Sequence, residues 1–313
     1  VTQQFDKQAL APNEGPGEAR PAAQSDPPRA LPSGLAASQQ PLQRGWRLFL
    51  RTVLARAYPR IIGQQREPAW IFFETFLPFI ATVGYIYVYR AIQAPEDYVG
   101  FAVMGGAMTA FWLNVMWSMS AQLYWEKESG NLPLYIISPT SLMAILLGMA
   151  LGGMLSTSLR AAVILVLGTW LFQIPFVVSS FLQLFTVFLL TMTALYGLGM
   201  LFASLFLLFG RDAWQITEML QEPVYFLSGF YFPIKSFGFA VAMLASILPL
   251  TLGMDAMRQL VFASGPSLGF LSVELEIGLL AFLAVSFVGA AKYWLARMER
   301  VARNEGTLTD RRR

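Results

Sequence analysis

Long apolar runs separated by short polar breaks fill the chain from about Trp70 to Trp294. The runs Trp70–Tyr89, Tyr98–Tyr124, Leu142–Phe172, Phe181–Phe209, Ala213–Phe230 and Ile277–Trp294 approach or exceed the roughly 20 residues that cover a bilayer, and predict six spans. Ahead of them, Trp46, Phe49, Leu50, Val53, Leu54 and Ala57 recur at helical spacing among Arg44, Arg47, Arg51, Arg56, Arg60 and Arg66. That pattern predicts a basic amphipathic connecting helix within residues 42–69, of the kind that lies in the membrane interface. The stretch Phe237–Leu248 is apolar but, at about 12 residues, too short to cross, and predicts a re-entrant or interfacial helix before the last span. Residues 1–41 are rich in Ala, Pro, Gln, Gly and Ser and show no hydrophobic period. Such a segment buries too little apolar surface to offset its ordering entropy, so a disordered cytoplasmic tail is expected there rather than a signal peptide. Residues 295–313 read as a second, basic tail.

Composition agrees with this division. Hydrophobic residues make up 56% of the chain and charged residues 13%, with a mean hydropathy of +0.52. Soluble domains carry about twice that charged fraction. Barrel strands alternate polar with apolar residues over short lengths, unlike these runs. The class expected is therefore an all-α membrane protein with six transmembrane helices, an N-terminal amphipathic interface helix and short outer re-entrant helices, its six-span domain covering residues 70–294. The absence of Cys and His removes disulfides, thiol chemistry, Cys/His metal sites and His acid–base catalysis. Basic residues concentrate before the first span and after the last, at Lys292, Arg297, Arg300, Arg303 and Arg311 to Arg313. The positive-inside rule then puts both termini in the cytoplasm, along with the breaks at Trp125–Ser141 and Gly210–Asp212.

A few polar residues interrupt the spans. Ionisable groups at membrane depth are costly and must pair or line a watery cavity. Glu74 sits near the start of span 1, where an arginine of the preceding helix is its expected partner. Arg160, deep in span 3, is expected to pair structurally or to bind an anionic group. Glu218 and Glu222 lie at helical spacing in span 5, with Arg211, a lipid head group or a neighbouring subunit as expected partners. Asn114, Trp117, Tyr225 and Ser228 are candidates for a substrate path, and equally for packing between helices.

Two polar breaks carry a resemblance. The first reads Glu126-x-Glu128-x-Gly130-Asn131-Leu132, followed by Ser138-Pro139-x-Ser141. Gly130 breaks a helix, Leu132, Tyr135 and Ile136 fall on one face of a short helix, and Pro139 disfavours helix at Ser138. An amphipathic turn between two spans is suited to docking on something outside the membrane. The second reads Ser228-Gly229-x-x-x-Pro233, then Pro249-Leu250-Thr251 and Asp255-x-x-Arg258. In this order the two resemble the motifs of ABC-2 type permeases, the membrane subunits of ABC exporters, over roughly residues 42–296. Asn131 stands where the family more often has Thr.

The resemblance implies a dimer of membrane subunits, from a second copy or a homologous chain, with spans 2 and 5 lining an export path. It also implies two copies of an ABC ATP-binding subunit holding ATP and Mg and pushing on Glu126, Glu128, Gly130, Asn131, Leu132, Tyr135, Ser138 and Pro139. The chain itself has no Gly-x-x-x-x-Gly-Lys-Ser/Thr loop to cradle phosphates, so no cofactor is expected on it and ATP hydrolysis is expected elsewhere. The setting implied is a bacterial inner membrane, with lipids around the chain and no nucleic-acid partner. The substrate expected is an amphipathic drug, lipid or glycolipid. An ion-coupled secondary transporter or channel is the alternative, although no internal repeat between residues 70–172 and 181–294 supports it. A membrane-embedded enzyme lacks the residues to do chemistry.

Overall fold

α3 (Asp97–Leu113) is the helix around which the others are arranged: every residue from Gly100 to Trp112 is buried. The computed structural model describes residues 45–66, 68–209, 212–263 and 265–305. The expected tail at 1–41, the part of the expected tail at 295–313 that follows residue 305, and Arg211 as a partner for Glu218 and Glu222 lie outside them, while residues 295–305 continue the last helix. Among the described residues all regular structure is helical. In chain order α1 (Trp46–Gln65) and α2 (Pro68–Ala91) precede α3, which runs through a π-helical turn (Asn114–Met119) into α4 (Gln122–Glu128). The short α5 (Leu132–Ile137) leads to α6 (Leu142–Phe172) and α7 (Phe181–Phe209). After α8 (Asp212–Leu227), a 3-10 turn (Ile234–Phe237), α9 (Phe239–Ala245), α10 (Pro249–Val261) and α11 (Gly265–Leu268) lead to α12 (Val273–Glu305).

Five stretches among the described residues are long and apolar enough to cross a membrane: Ile71–Ala91, Asp97–Glu128, Leu142–Phe172, Phe181–Leu207 and Val273–Val301. α6 and α7 coincide with two of the runs predicted from hydropathy. The run predicted at Ala213–Phe230 becomes α8, whose 16 residues rise about 24 Å, short of the ~30 Å hydrocarbon thickness. Gln215, Glu218, Gln221 and Glu222 lower its hydropathy, and Gly229 at φ +69° turns the chain away just past its end. The predicted helix at Phe237–Leu248 is shorter, ending at Ala245. The chain then bends by 113° into α10, and the two together form a broken element that also satisfies the length and hydropathy of a span.

Small residues set the closest approaches. α1 lies along α6, where Gly148 and Gly152 face it one turn apart. A Cβ on Gly148 would overlap the Val53 carbonyl, and one on Gly152 would stand 2.7 Å from the Ala57 carbonyl oxygen. This small-x-x-x-small spacing lets two helix backbones meet without side chains between them. Val53 is buried at that seam, while Trp46, Leu50, Leu54 and Tyr58 form an exposed stripe on the other side of α1. α12 packs mainly on α7, and α10 inserts between α7, α12 and α3.

One ion pair joins α2 to α6. Glu74 pairs with Arg160 Nη1, and Arg160 Nη2 donates to Thr157 Oγ1 at 2.9 Å. Glu74 thus meets Arg160 of α6, where the sequence expectation named an arginine of the helix before it. α1 faces α6 and the loop beyond α4, so its Arg60 donates to Gln122 Oε1 at 3.2 Å instead.

Two outcomes are expected. Gly148→Val should overpack the α1–α6 seam at a cost of about 1–3 kcal/mol and lower the melting temperature of the detergent-solubilised protein. Arg160→Ala should cost about 3–5 kcal/mol by removing one partner of a buried ion pair together with the bond to Thr157. The charge-swapped pair Glu74→Arg/Arg160→Glu should regain a large part of the loss, read as the fraction surviving a heat step in size-exclusion chromatography.

Candidate functional site: the Trp125–Ser141 loop and the path above it

The loop between the second and third spans folds as a helix, a glycine corner and a second helix. Gly130 adopts φ +77°, a left-handed conformation that costs an L-residue roughly 1–2 kcal/mol. The corner is held from both sides by Glu126. Its backbone carbonyl accepts from Asn131 N at 2.9 Å, its Oε2 from Asn131 Nδ2 at 3.1 Å, and its Oε1 from Gln122 Nε2 at 3.0 Å. Since Arg60 donates to the same Gln122, a continuous chain of polar contacts runs from α1 through α4 to the start of α5. Asn131 is thereby a reaching donor as well as the residue ahead of α5.

A second tie crosses from α1 to α5. The Arg56 guanidinium lies over the Tyr135 ring, 4.3 Å from its centroid. Burial raises the Tyr135 phenol above its ordinary value, and Glu126 within hydrogen-bonding reach raises it further, against the opposing pull of Arg56. The hydroxyl therefore stays protonated beside the carboxylate. Beyond α5, Ser138 is extended at ψ 145°, its Oγ shares a hydrogen bond with Thr140 Oγ1 at 2.8 Å, and Ser141 caps α6 by accepting from Ala144 N at 3.2 Å.

The face of α5 expected to dock outward points inward. Leu132 and Ile136 are buried in the core and Tyr135 is packed under Arg56. In a helix of six residues the core claims one side, and Leu132–Ile136 at i, i+4 is the pair that reaches it. The side left outside carries Leu134 (66% exposed) and Ile137 (82%), and Trp125 and Glu128 of α4 are exposed as well. Their three-residue spacing was a readable signal, overshadowed by the equally periodic buried set.

The four path candidates are not gathered in one place. Asn114, at the start of the π-helical turn, is buried and accepts from Tyr196 Oη of α7 at 3.0 Å, with Gly153 of α6 close beside it. Trp117 donates from Nε1 to Gln221 Oε1 of α8 at 2.9 Å. Tyr225 sits half-buried against Phe230, with ring centroids 5.6 Å apart, and Ser228 is buried at the end of α8. Trp117, Tyr225 and Ser228 thus belong to the α3–α8 side, and Asn114 to the α6–α7 side. Glu218 and Glu222, expected as buried charges, are exposed. Gln221 and buried Val224 occupy the inner side of α8, which leaves the two carboxylates outward. Tyr196, Gln221 and the π-helical turn were not foreseen; hydropathy does not report an extra residue in one turn.

The second motif closes on itself. Arg258 Nη2 donates to the Phe230 carbonyl at 2.8 Å and lies 3.4 Å from that of Phe101, while Nη1 donates to Phe232 at 3.2 Å. Residues 26 and 28 positions apart in the sequence are thereby clamped together, with the Arg258 guanidinium also 4.9 Å from the Phe101 ring centroid. Asp255 Oδ2 accepts from Phe270 N at 2.7 Å and from Gln259 Nε2 at 3.2 Å. Gln259 also reaches Glu276 Oε2 at 3.2 Å, tying α10 to the start of α12. Asp255-x-x-Arg258 is a folding lock for the segment between α8 and α12.

Comparison with known proteins bears on the family. Residues 49–262 match the family model for the ABC-2 type transporter. Two curated relatives, both named "Probable multidrug ABC transporter permease YbhR", from Escherichia coli K12 and O157:H7, are 27% identical over 164 residues. The alignment covers 52% of this chain and 44% of each relative, so the chain spans less than half the length of the curated relatives it matches. No solved structure matches. With the family model spanning most of the chain, and with several helices apolar enough to cross a bilayer, the protein is an integral membrane protein and belongs to the ABC-2 type transporter family.

Proposed function

We propose that the chain is the permease subunit of an ATP-driven exporter, moving an amphipathic drug, lipid or glycolipid out of the cytoplasm or inner leaflet. The observation that carries this reading is the Trp125–Ser141 loop. It is a rigid corner built at the end of the most buried span, with an apolar outer face and a polar chain leading back to α1. Such a loop is fitted to receive a push and pass it on. In this reading an ATP-binding subunit supplies the push, one copy for each of two permease chains, and ATP and Mg are held there. Membrane subunits of this family are generally not catalytic. Leu134, Ile137 and Trp125 form the apolar centre of the docking face, with Glu128 on its rim.

The same reading makes α8 the fifth of six crossings, completed by the turn at Ser228–Phe232. It lays α1 in the cytoplasmic interface with its Trp46–Leu50–Leu54–Tyr58 stripe toward lipid. Both termini are cytoplasmic, and the membrane is a bacterial inner membrane. The relatives' printed name favours drugs among the substrate classes. A substrate would pass beside Trp117 and Tyr225, where the π-helical turn meets α8, and Asn114 would serve helix packing through Tyr196.

Two results are expected. Ile137→Asp should weaken recovery of the ATP-binding subunit with the tagged permease roughly tenfold, as for loss of one central apolar anchor. Unchanged recovery would move the docking face elsewhere. Gly130→Pro forces φ to about −65° where +77° is needed, and should leave the protein inserted while separating ATP hydrolysis from transport. Full transport by that variant would remove the loop as the input.

A further inference from the structure

A cleft of about 780 Å³ lies between α6 and α7, within the size range of small-molecule sites. It exists because the connection between these helices is not a tight hairpin. α6 ends at Gln173 in a left-handed conformation (φ 56°), and the chain then runs extended onto the end of α10. There Val177 N donates to the Val261 carbonyl and Ser179 N to that of Leu260, both at 2.9 Å. Pinned to α10, the connection holds α6 and α7 apart and leaves a slot between them. Its floor is the buried side of α3, with Met104, Met108 and Phe111, and Met257 of α10.

We propose that this cleft binds one acyl chain of a bilayer phospholipid. Two observations choose the occupant. First, the slot opens onto the exposed surface of two helices that cross the membrane: Val166, Trp170, Phe181 and Phe185 on its rim are 60–77% exposed. The slot is therefore continuous with the lipid-facing surface, and hydrocarbon is what stands at its mouth. Second, the lining is almost entirely apolar. The hydroxyl protons of Ser158 and Thr169 are spent on their own helix, donating to Met154 O at 2.8 Å and Leu165 O at 2.6 Å, and the remaining side-chain donor, the Trp170 indole N–H, belongs to the exposed rim. A lining this apolar favours an alkyl chain over a head group or a polar solute. The three methionines are unbranched and adaptable, which fits an occupant of variable shape. The inference rests on membrane embedding alone and stands apart from the export reading.

The test is photo-crosslinking in vesicles of phosphatidylcholine and phosphatidylethanolamine containing a trace of phosphatidylcholine with a diazirine along one acyl chain. Digestion and mass spectrometry then locate the adducts. Adducts are expected on Met104, Met108 or Phe111, which no lipid touches unless a chain enters the cleft, as well as on exposed positions such as Val166. Ala162→Trp, an exposed rim position, should lower the internal adducts roughly tenfold, the affinity carried by about two buried methylenes, while leaving surface adducts unchanged. Val178→Trp on the opposite rim is the companion should the first variant aggregate. Adducts confined to exposed positions would overturn the proposal. So would internal adducts indifferent to both variants, or a photoreactive residue at Val166 that captures a second copy of the chain in place of lipid.

Discussion

Backbone carbonyls left without a helical partner are the constraint on which the segment between α8 and α12 depends. A packed interior supplies no bulk water to satisfy them, so non-helical backbone survives there only when protein groups take over. Arg258 does this for Phe230 and Phe232 with one planar guanidinium, whose donors are fixed in a fork. The turn it satisfies brings the Phe230 carbonyl against α3 at Gly105, where a Cβ would overlap it. That contact, with the Tyr89 hydroxyl donating to the Tyr231 carbonyl at 2.7 Å, seats the turn against α2 and α3. The glycine in α3, the arginine in α10 and the tyrosine in α2 therefore serve one short stretch of backbone. It is the stretch that separates a short α8 from the buried α10.

The opposite end of the molecule solves a similar problem with different chemistry. Around the Trp125–Ser141 loop the polar groups belong to side chains, and they are satisfied in series: Arg60, Gln122, Glu126, Asn131. A series of this kind resists being deformed at one point without the others following. The seam of Gly148 and Gly152 beneath it keeps α1 in register on α6, so both ends of the series are fixed to long helices.

Most of the architecture was legible because hydropathy over twenty residues is a strong signal. The runs that became α2, α3, α6, α7 and α12 could be read directly, as could the need for a partner at Arg160. What could not be read depended on which side of a helix faces inward. Glu74 found Arg160 on α6 because α1 was committed to the glycine seam. Leu132 and Ile136 and the pair Leu134 and Ile137 have the same periodic claim to the core, and only packing chose between them. Glu218 and Glu222 looked buried because α8 looked like a full span, and a polar residue is judged by the depth assumed for it. The motif Asp255-x-x-Arg258 was visible, but its role as a clamp on Phe230 and Phe232 required the fold that brings distant residues together.

The π-helical turn at Asn114–Met119 has a consequence for everything that follows it. Its wider hydrogen bonds, such as Ser120 N to the Val115 carbonyl at 2.9 Å, accommodate one residue more than an α-helical turn would. Were those residues wound as α-helix, the portion beyond would turn by roughly 100° about its own axis, the angle of one residue. The second span therefore carries a phase offset at mid-length: its two halves present faces that a regular helix of the same sequence would never align.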